Sequence, residues 1–498
     1  MTAATPAYDQ LRATYRRIHQ LEHFQSLGFW DGSVNMPPAG NGPRSEAMAE
    51  LGLVLHGIET DPELASLIDA AEQEPLDEFG RASVREIRRR WRQSNGLPPA
   101  LVEAMTLARA KSEHAWRTQR GQNDWAGFLP NFREVVRLSR EIARHQGEAL
   151  GLSPYDALMD AYEPGVRSAD VERIFADVKS WLPGMIREAV ARQAANPPIE
   201  AKGPFPVEKQ RALGLAVMKL LGFDFDAGRL DVSMHPFCGG VPGDVRITTR
   251  YHEHDFARSF MAVIHETGHA RYEQGLPKET IALPVGRARS AGIHESQSLA
   301  FEMQVARSPG FLRLVAPIVR EHLGDQPAFS AENLVRRYRQ VKPDLIRVEA
   351  DELCYPAHII LRFEIERALI GGEIEAEDIP ALWDEKMNAY LGLDTRGDYK
   401  DGCLQDVHWP EGLFGYFPSY TLGAMCAAQY FAALRKSLPD LDARIEAGDL
   451  APVFEWLEAN IWRHGSRYET DELLRRATGE ALNPAHFRAH LAARYLRD

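Results

Sequence analysis

Between Phe260 and Tyr272 the chain reads FMAVIHETGHARY, setting His265, Glu266 and His269 into an otherwise apolar run. Residues four apart on a helix project from one face. His265 and His269 can therefore offer two imidazoles to one metal ion at about 2.0–2.1 Å, the distance for zinc. Glu266, one step around the same helix, falls beside such an ion and suits a base acting on metal-bound water. On the helical wheel Phe256, Phe260, Val263 and Ile264 lie together, roughly opposite the two histidines. The spacing predicts a helix with packing behind and chemistry in front.

A catalytic zinc keeps three protein ligands and one open position. The extended form with a third histidine is excluded, because position 275 is glycine and no histidine follows before His294. The segment SAGIHESQSLAFEMQVARS, residues 290–308, reads as a second helix behind the loop EQGLPKETIALPVG. Glu295 on it is the expected third ligand, with His294 and Glu302 as competitors. His294 suits a place behind the ligands, and Glu302, two turns from Glu295, can orient a bound histidine.

The elements that must hold these groups are mostly helical. Apolar residues recur at three- and four-residue steps in SADVERIFADVKSWLPGMIREAV, with Ser168 as expected N-cap. Ser153 followed by Pro154 marks another helix start. Segments 8–28, 44–73, 81–118, 130–149, 207–221, 331–372, 420–436 and 482–496 read alike. The exception is 229–251, where RLDVSMHPF and GDVRITTRYH carry short β-branched alternation around CGGVPG, predicting a small hairpin or sheet edge. The expected architecture is mainly α, one continuous unit over 1–498, with a possible lobe boundary near 200–205 at NPPIEAKGPFP.

The bulk composition narrows function by exclusion. The chain has 498 residues and a net charge of −13, which argues against a nucleic-acid partner. No run of about 18 apolar residues predicts a membrane span, and the N-terminus lacks the apolar core of a signal peptide. Four scattered cysteines, with no CxxC, point to a reducing cytoplasm rather than a disulfide framework.

Five motifs in order extend the picture: HPF at His235–Phe237, DVRIT at Asp244–Thr248, HETGH followed by HESQ at His294–Gln297, IRVEAD at Ile346–Asp351 and GCLQDVHW at Gly402–Trp409. With LGFWDGSVNMPPAGNGPR near the N-terminus, the chain resembles the carboxypeptidase Taq family of HExxH metallocarboxypeptidases over essentially its whole length. The resemblance implies a large two-lobed helical protein with a deep groove, a homodimer. It implies removal of C-terminal residues from peptides with broad specificity, with zinc, or cobalt in its place. His265, His269 and Glu295 would be ligands and Glu266 the catalytic carboxylate that assists attack of zinc-bound water.

The remaining roles stay open at this level. A developing oxyanion needs a donor besides the metal. Tyr416 and Tyr420 in GYFPSYTLG are four apart, and the tyrosine pair of related helical zinc peptidases favours Tyr420. His408 is a second donor candidate, its tautomer fixed by Asp406. A free C-terminal carboxylate suits a guanidinium fork. By spacing alone, Arg347 and Asp351 form an ion pair one turn apart on a helix; the motif match instead makes Arg347 the anchor, with Arg246 its rival. The motifs also put His235, Asp351, Gln405 and Tyr416 on the substrate side. Two other readings compete: a helical endo- or oligopeptidase using the same centre, and a non-catalytic helical peptide-binding scaffold.

Overall fold

Helical periodicity carries through to three dimensions. The computed structural model describes residues 5–497 and contains, among them, twenty α-helices and one three-stranded sheet. Three of the expected helices are broken. Residues 44–73 divide into Asn41–Glu59 and Pro62–Glu72, and 81–118 into helices that end at Asn95 and restart at Pro99. Pro62 and Pro99 each stand at the first helical position, where the missing N–H has no bond to lose and the preceding residue is driven out of helical geometry. The third, 331–372, is Ala331–Tyr338, a single 3-10 turn Arg347–Glu349, and Tyr355–Gly371. Ser153 caps its helix by accepting from the Asp156 N–H. Ser168 does not cap: it is the first helical residue and donates its own N–H to Asp156 at 2.6 Å.

Two large apolar cores organise the chain. One gathers residues from 125–189, 341–428 and the last helix; the other gathers 205–338 and 426–474. The helix Pro418–Ser437 feeds both, with Leu422, Met425 and Ala428 in the first and Cys426, Tyr430 and Phe431 in the second. The first core therefore draws on chain from both sides of 200–205, whereas the second begins at Phe205.

The sheet departs from a simple hairpin. Strands β1 (Gly228–Val232), β2 (Cys238–Val241) and β3 (Asp244–Thr249) lie in the order β1-β3-β2. β2 and β3 pair antiparallel with Val241 opposite Asp244, while β1 runs parallel to β3 with Leu230 beside Ile247. The Gly-rich CGGV, expected as the connection, is itself a strand. Leu230, Val245 and Ile247 are buried against Val263 and Ala270 of the HETGH helix. The sheet thus backs that helix, and the loop before β2 carries His235 to the groove.

Candidate active site

The HETGH helix spans Phe256–Gly275, with Asp255 accepting from the Ala257 N–H as cap. Phe260, Val263 and Ile264 are almost fully buried, each contributing about 1.5–3 kcal/mol of transfer free energy. The HESQ helix spans Ala291–Leu299, capped by Ser290. Glycine brings the two together: a Cβ on Gly268 would meet Gln297 O at 2.6 Å and the Ser298 Cα at 2.7 Å. Gly423 plays the same part for the helix Pro418–Ser437, where a Cβ would stand 3.0 Å from the Glu295 Cβ.

That close crossing converges three donors. His269 Nε2 lies 3.4 Å and His265 Nε2 3.9 Å from Glu295 Oε2, and the three ligand atoms fall within 4.8 Å of one another. Atoms bound tetrahedrally at 2.0–2.1 Å stand roughly 3.3–3.4 Å apart, so two imidazoles and one carboxylate fit a zinc-sized ion with one position left over. The other ring nitrogens are held. His265 Nδ1 is 2.9 Å from Glu302 Oε2, and Glu302 in turn accepts from Arg307 at 2.7 Å. His269 Nδ1 is 2.6 Å from His294 Nδ1, whose Nε2 is 2.8 Å from Glu273. With His294 Nε2–H donating to Glu273 and His269 Nδ1–H donating to His294, both metal-facing Nε2 atoms keep their lone pairs. Glu302 sits in a widened π-helical stretch, Ala300–Ala306, where Arg307 N–H reaches back five residues to Glu302 O. Such segments recur at functional sites.

Carboxylates surround this point. Burial alone would lower His265, yet Glu295, Glu302 and Glu266 outweigh it and push it up. Burial would also raise Glu295, but the two imidazoles bring it down to about 2, so it stands ready as an anion. Glu266 is buried and aimed at the groove; burial, reinforced by Glu295 and Glu302 against the pull of His265, pushes it up to about 7. A carboxyl poised near neutrality is suited to exchanging protons.

The three donors and Glu266 lie in a groove of about 990 Å³ also lined by His235, Arg347, Asp351, Tyr355, Tyr416 and Tyr420. Arg347 differs from its expected setting. It lies in the 3-10 turn, 4% exposed, and does not pair with Asp351. Its partner is Asp406, which accepts from Nε and Nη2 at 2.8–3.2 Å and also from Arg362. Asp351 instead accepts from the backbone N–H groups of Lys342, Leu353 and Cys354, closing the loop after Arg347.

Three other expected contacts fall elsewhere. Arg246 pairs with Asp244 at 2.8 Å and lies over the Trp30 ring, so it braces the sheet and does not line the groove. Gln405 spends its amide internally, accepting from Arg347 N–H and donating to Leu345 O and Asp401 O. His408 stacks on Tyr416 and packs at a tilt against Phe417, outside the groove lining. Its Nδ1 is 3.9 Å from Asp406 and has no hydrogen bond, because two arginines occupy that carboxylate. Burial lowers His408 to about 4. Tyr416 precedes its helix, which begins at Pro418, yet its ring still meets Tyr420 edge-on at 5.3 Å.

Sequence reasoning missed Tyr355, whose OH accepts from Arg347 at 2.5 Å, and Arg362, 1% exposed beneath Asp406. It also missed Glu366, which accepts from Trp409 Nε1, Tyr155 OH and Gly415 N–H and so fixes the loop into Tyr416. A signal existed. Tyr355, His358, Arg362 and Glu366 recur at helical spacing through the apolar run YPAHIILRFEIERAL.

Helices, groove and a three-donor metal centre define the class: a metallopeptidase. Comparison with known proteins narrows it. Residues 10–495 match the family described as Carboxypeptidase Taq (M32) metallopeptidase, and the chain belongs to that family. It is 40% identical to thermostable carboxypeptidase 1 of Thermus thermophilus over 98% of each chain. Among solved structures it resembles metallocarboxypeptidase 1 of Trypanosoma cruzi, with TM-score 0.98, 48% identity and coverage of 99% and 100% of the two chains. A carboxypeptidase of Pyrococcus furiosus gives TM-score 0.95 at 34% identity, with the same coverage. The protein is therefore a metallocarboxypeptidase acting on peptides, with a metal cofactor. Among the described residues no helix is long and apolar enough to cross a membrane.

The hold of Glu302 on His265 gives an expected result. Glu302→Ala should weaken metal affinity about 10–100-fold while leaving the ligands in place. Competition against a fluorescent chelator measures it; unchanged affinity would mean that His265 needs no such support.

Proposed function

We propose that the protein is a zinc carboxypeptidase in which His265, His269 and Glu295 hold the ion, Glu266 handles the proton and Arg347 receives the substrate's terminal carboxylate. The observation that carries this reading is a charge imbalance beside the metal centre. Arg347 and Arg362 share one carboxylate, Asp406, with Arg347 lining the groove and Arg362 behind it. Burial opposes the ionised form of Asp406, but Arg362 and Arg347 together hold it well below the usual carboxylate range. His408 nearby is neutral at pH 7. One buried positive charge is left over, and an anion arriving from the groove offsets it. A peptide terminus supplies that anion, which favours an exopeptidase over an endopeptidase using the same centre.

The bound ion would make a water acidic and polarise the scissile carbonyl. Glu266 then accepts the proton released as water attacks and returns it to the departing amine. Tyr420, whose ring lies 5.1 Å from the Arg347 guanidinium, and Tyr416 against it line the groove wall, which supports a role for them as oxyanion donors. Asp406 and Tyr355 aim Arg347, and Gln405 fixes its backbone. His235 stands exposed at the groove mouth, on a loop whose Phe237 N–H is held by Thr248 Oγ1 at 3.0 Å. The helix Pro418–Ser437, shared by both cores, supports the reading that the whole chain acts as one catalytic unit.

Metal analysis joined to product chromatography tests the assignment. Purified protein should carry one zinc per chain, lose activity to a chelator and regain it with zinc or cobalt. An unmodified peptide should lose single residues stepwise from its C-terminus, while its C-terminal amide should persist. Internal cleavage of both peptides would replace this reading with the endopeptidase one.

A further inference from the structure

A second cavity, of about 570 Å³, opens away from the metal groove between the helix Glu78–Asn95, the turn at residues 160–167 and Arg289. Seven arginines and four carboxylates line it, in a protein whose net charge is −13. The helix supplies Arg81, Arg85, Arg88, Arg89 and Arg92, a stripe at three- and four-residue spacing. Like charges so placed repel, and a fold gains nothing from concentrating them unless something neutralises them.

Arg88 is paired with Asp69 at 2.5 Å and Glu72 at 2.9 Å, but the chain's own acids neutralise the other arginines incompletely. Glu86 serves both Arg85 at 2.9 Å and the buried Arg289 at 2.6 Å. Asp160 is divided between Arg89 and Arg167 at 3.8 and 3.6 Å, beyond hydrogen-bond reach. Arg81 finds only the Leu76 carbonyl, and Arg92 has no hydrogen-bond or ion-pair partner among the described residues. Both are exposed, at the ends of the arginine stripe, whereas Arg289 is 6% exposed. The Nε atoms of Arg89 and Arg289 are buried without partners. Burial, and beyond its partial carboxylate partners the charge of Arg289, pulls Arg89 below the usual guanidinium range, as expected of cations short of counter-charge.

We propose that this cavity binds a small, multiply charged phosphate anion of the di- or polyphosphate class. Guanidinium forks match phosphate oxygens in bidentate geometry, and several converging from one concave wall select an anion carrying more than one charge. The volume accommodates a compact ligand rather than a chain. A strand of nucleic acid would need the positive charge to continue along a face, which the overall acidity opposes. The site is separate from the metal groove, though Arg289 stands immediately before Ser290, the cap of the helix that carries Glu295.

Calorimetric titration of the metal-loaded enzyme with inorganic pyrophosphate, at ionic strength fixed with sodium chloride, tests the proposal. Saturable binding is expected at one site per chain. Arg81→Ser combined with Arg92→Ser should weaken it at least tenfold, about what the loss of one charge-assisted contact removes. Chelation of the active-site metal would give heat in the double variant too, and metal content measured after titration identifies it. Arg92→Glu alone, with its melting temperature checked, serves as the second variant and should also weaken binding. Equal binding by both folded variants, or no wild-type signal above the chloride control, overturns the site.

Discussion

Replacing Glu266 by Gln should lower kcat by about 10²- to 10⁴-fold, the range for loss of a positioned general base, with metal content near one ion per chain. Two features separate this residue from its neighbours. The donor atoms that converge on one point belong to His265, His269 and Glu295, and Glu266 is not among them. It is nevertheless 7% exposed, on the groove wall, with its acidity shifted to about 7. Glutamine preserves the volume and one acceptor while removing the ability to take a proton. A ligand role predicts a different pair of results, because activity and metal would then disappear together. Measuring kcat and metal stoichiometry on the same preparation distinguishes them, and full activity in the variant would place the base elsewhere. Glu295→Gln is the useful contrast, since losing an anionic ligand should release the ion.

The difference in legibility between these residues and the substrate side has a physical origin. HETGH and HESQ could be read because each places its groups at fixed helical spacing, and the small Gly268 between the histidines lets the helices touch. Glu302, seven residues beyond Glu295, also reaches His265, though from a widened π-helical stretch that spacing did not foretell. The setting of Arg347 could not be read. Its four-residue spacing from Asp351 suggested a helical pair, but Pro343 and Pro356 flank a stretch that stays irregular, and Asp406 arrives from 59 positions away. Spacing reports partners within an element; it is silent about partners brought by tertiary packing. His408 shows the same limit, since adjacency to Asp406 in QDVHW said nothing of the two arginines that would claim that carboxylate. The parallel strand β1 was hidden likewise, because alternation marks a strand but not its neighbour.

Arg347→Ala is the second large expected effect. Truncating one partner of a buried, hydrogen-bonded charge pair costs about 2–5 kcal/mol, or roughly 30- to several-thousand-fold in kcat/KM for peptides with a free C-terminus. The loss should fall on free-carboxylate substrates because the guanidinium is already aimed before they arrive. Asp406 holds one edge, Tyr355 OH another corner, and the rings of Phe417 and Tyr420 lie 5.4 and 5.1 Å from its centre. That preparation also makes the alanine variant informative about packing, since Asp406 would keep Arg362 as a partner and the cluster would fall from one surplus positive charge to none. Arg347→Lys restores the charge without the planar fork and should recover only part of the activity. Kinetics with matched free and amidated peptides, alongside melting temperatures for both variants, separates recognition from stability. Undiminished kcat/KM on free peptides in a folded Arg347→Ala enzyme would move the anchor to another cation of the groove, and equal loss on amides would make Arg347 a support for the wall rather than a receptor for the terminus.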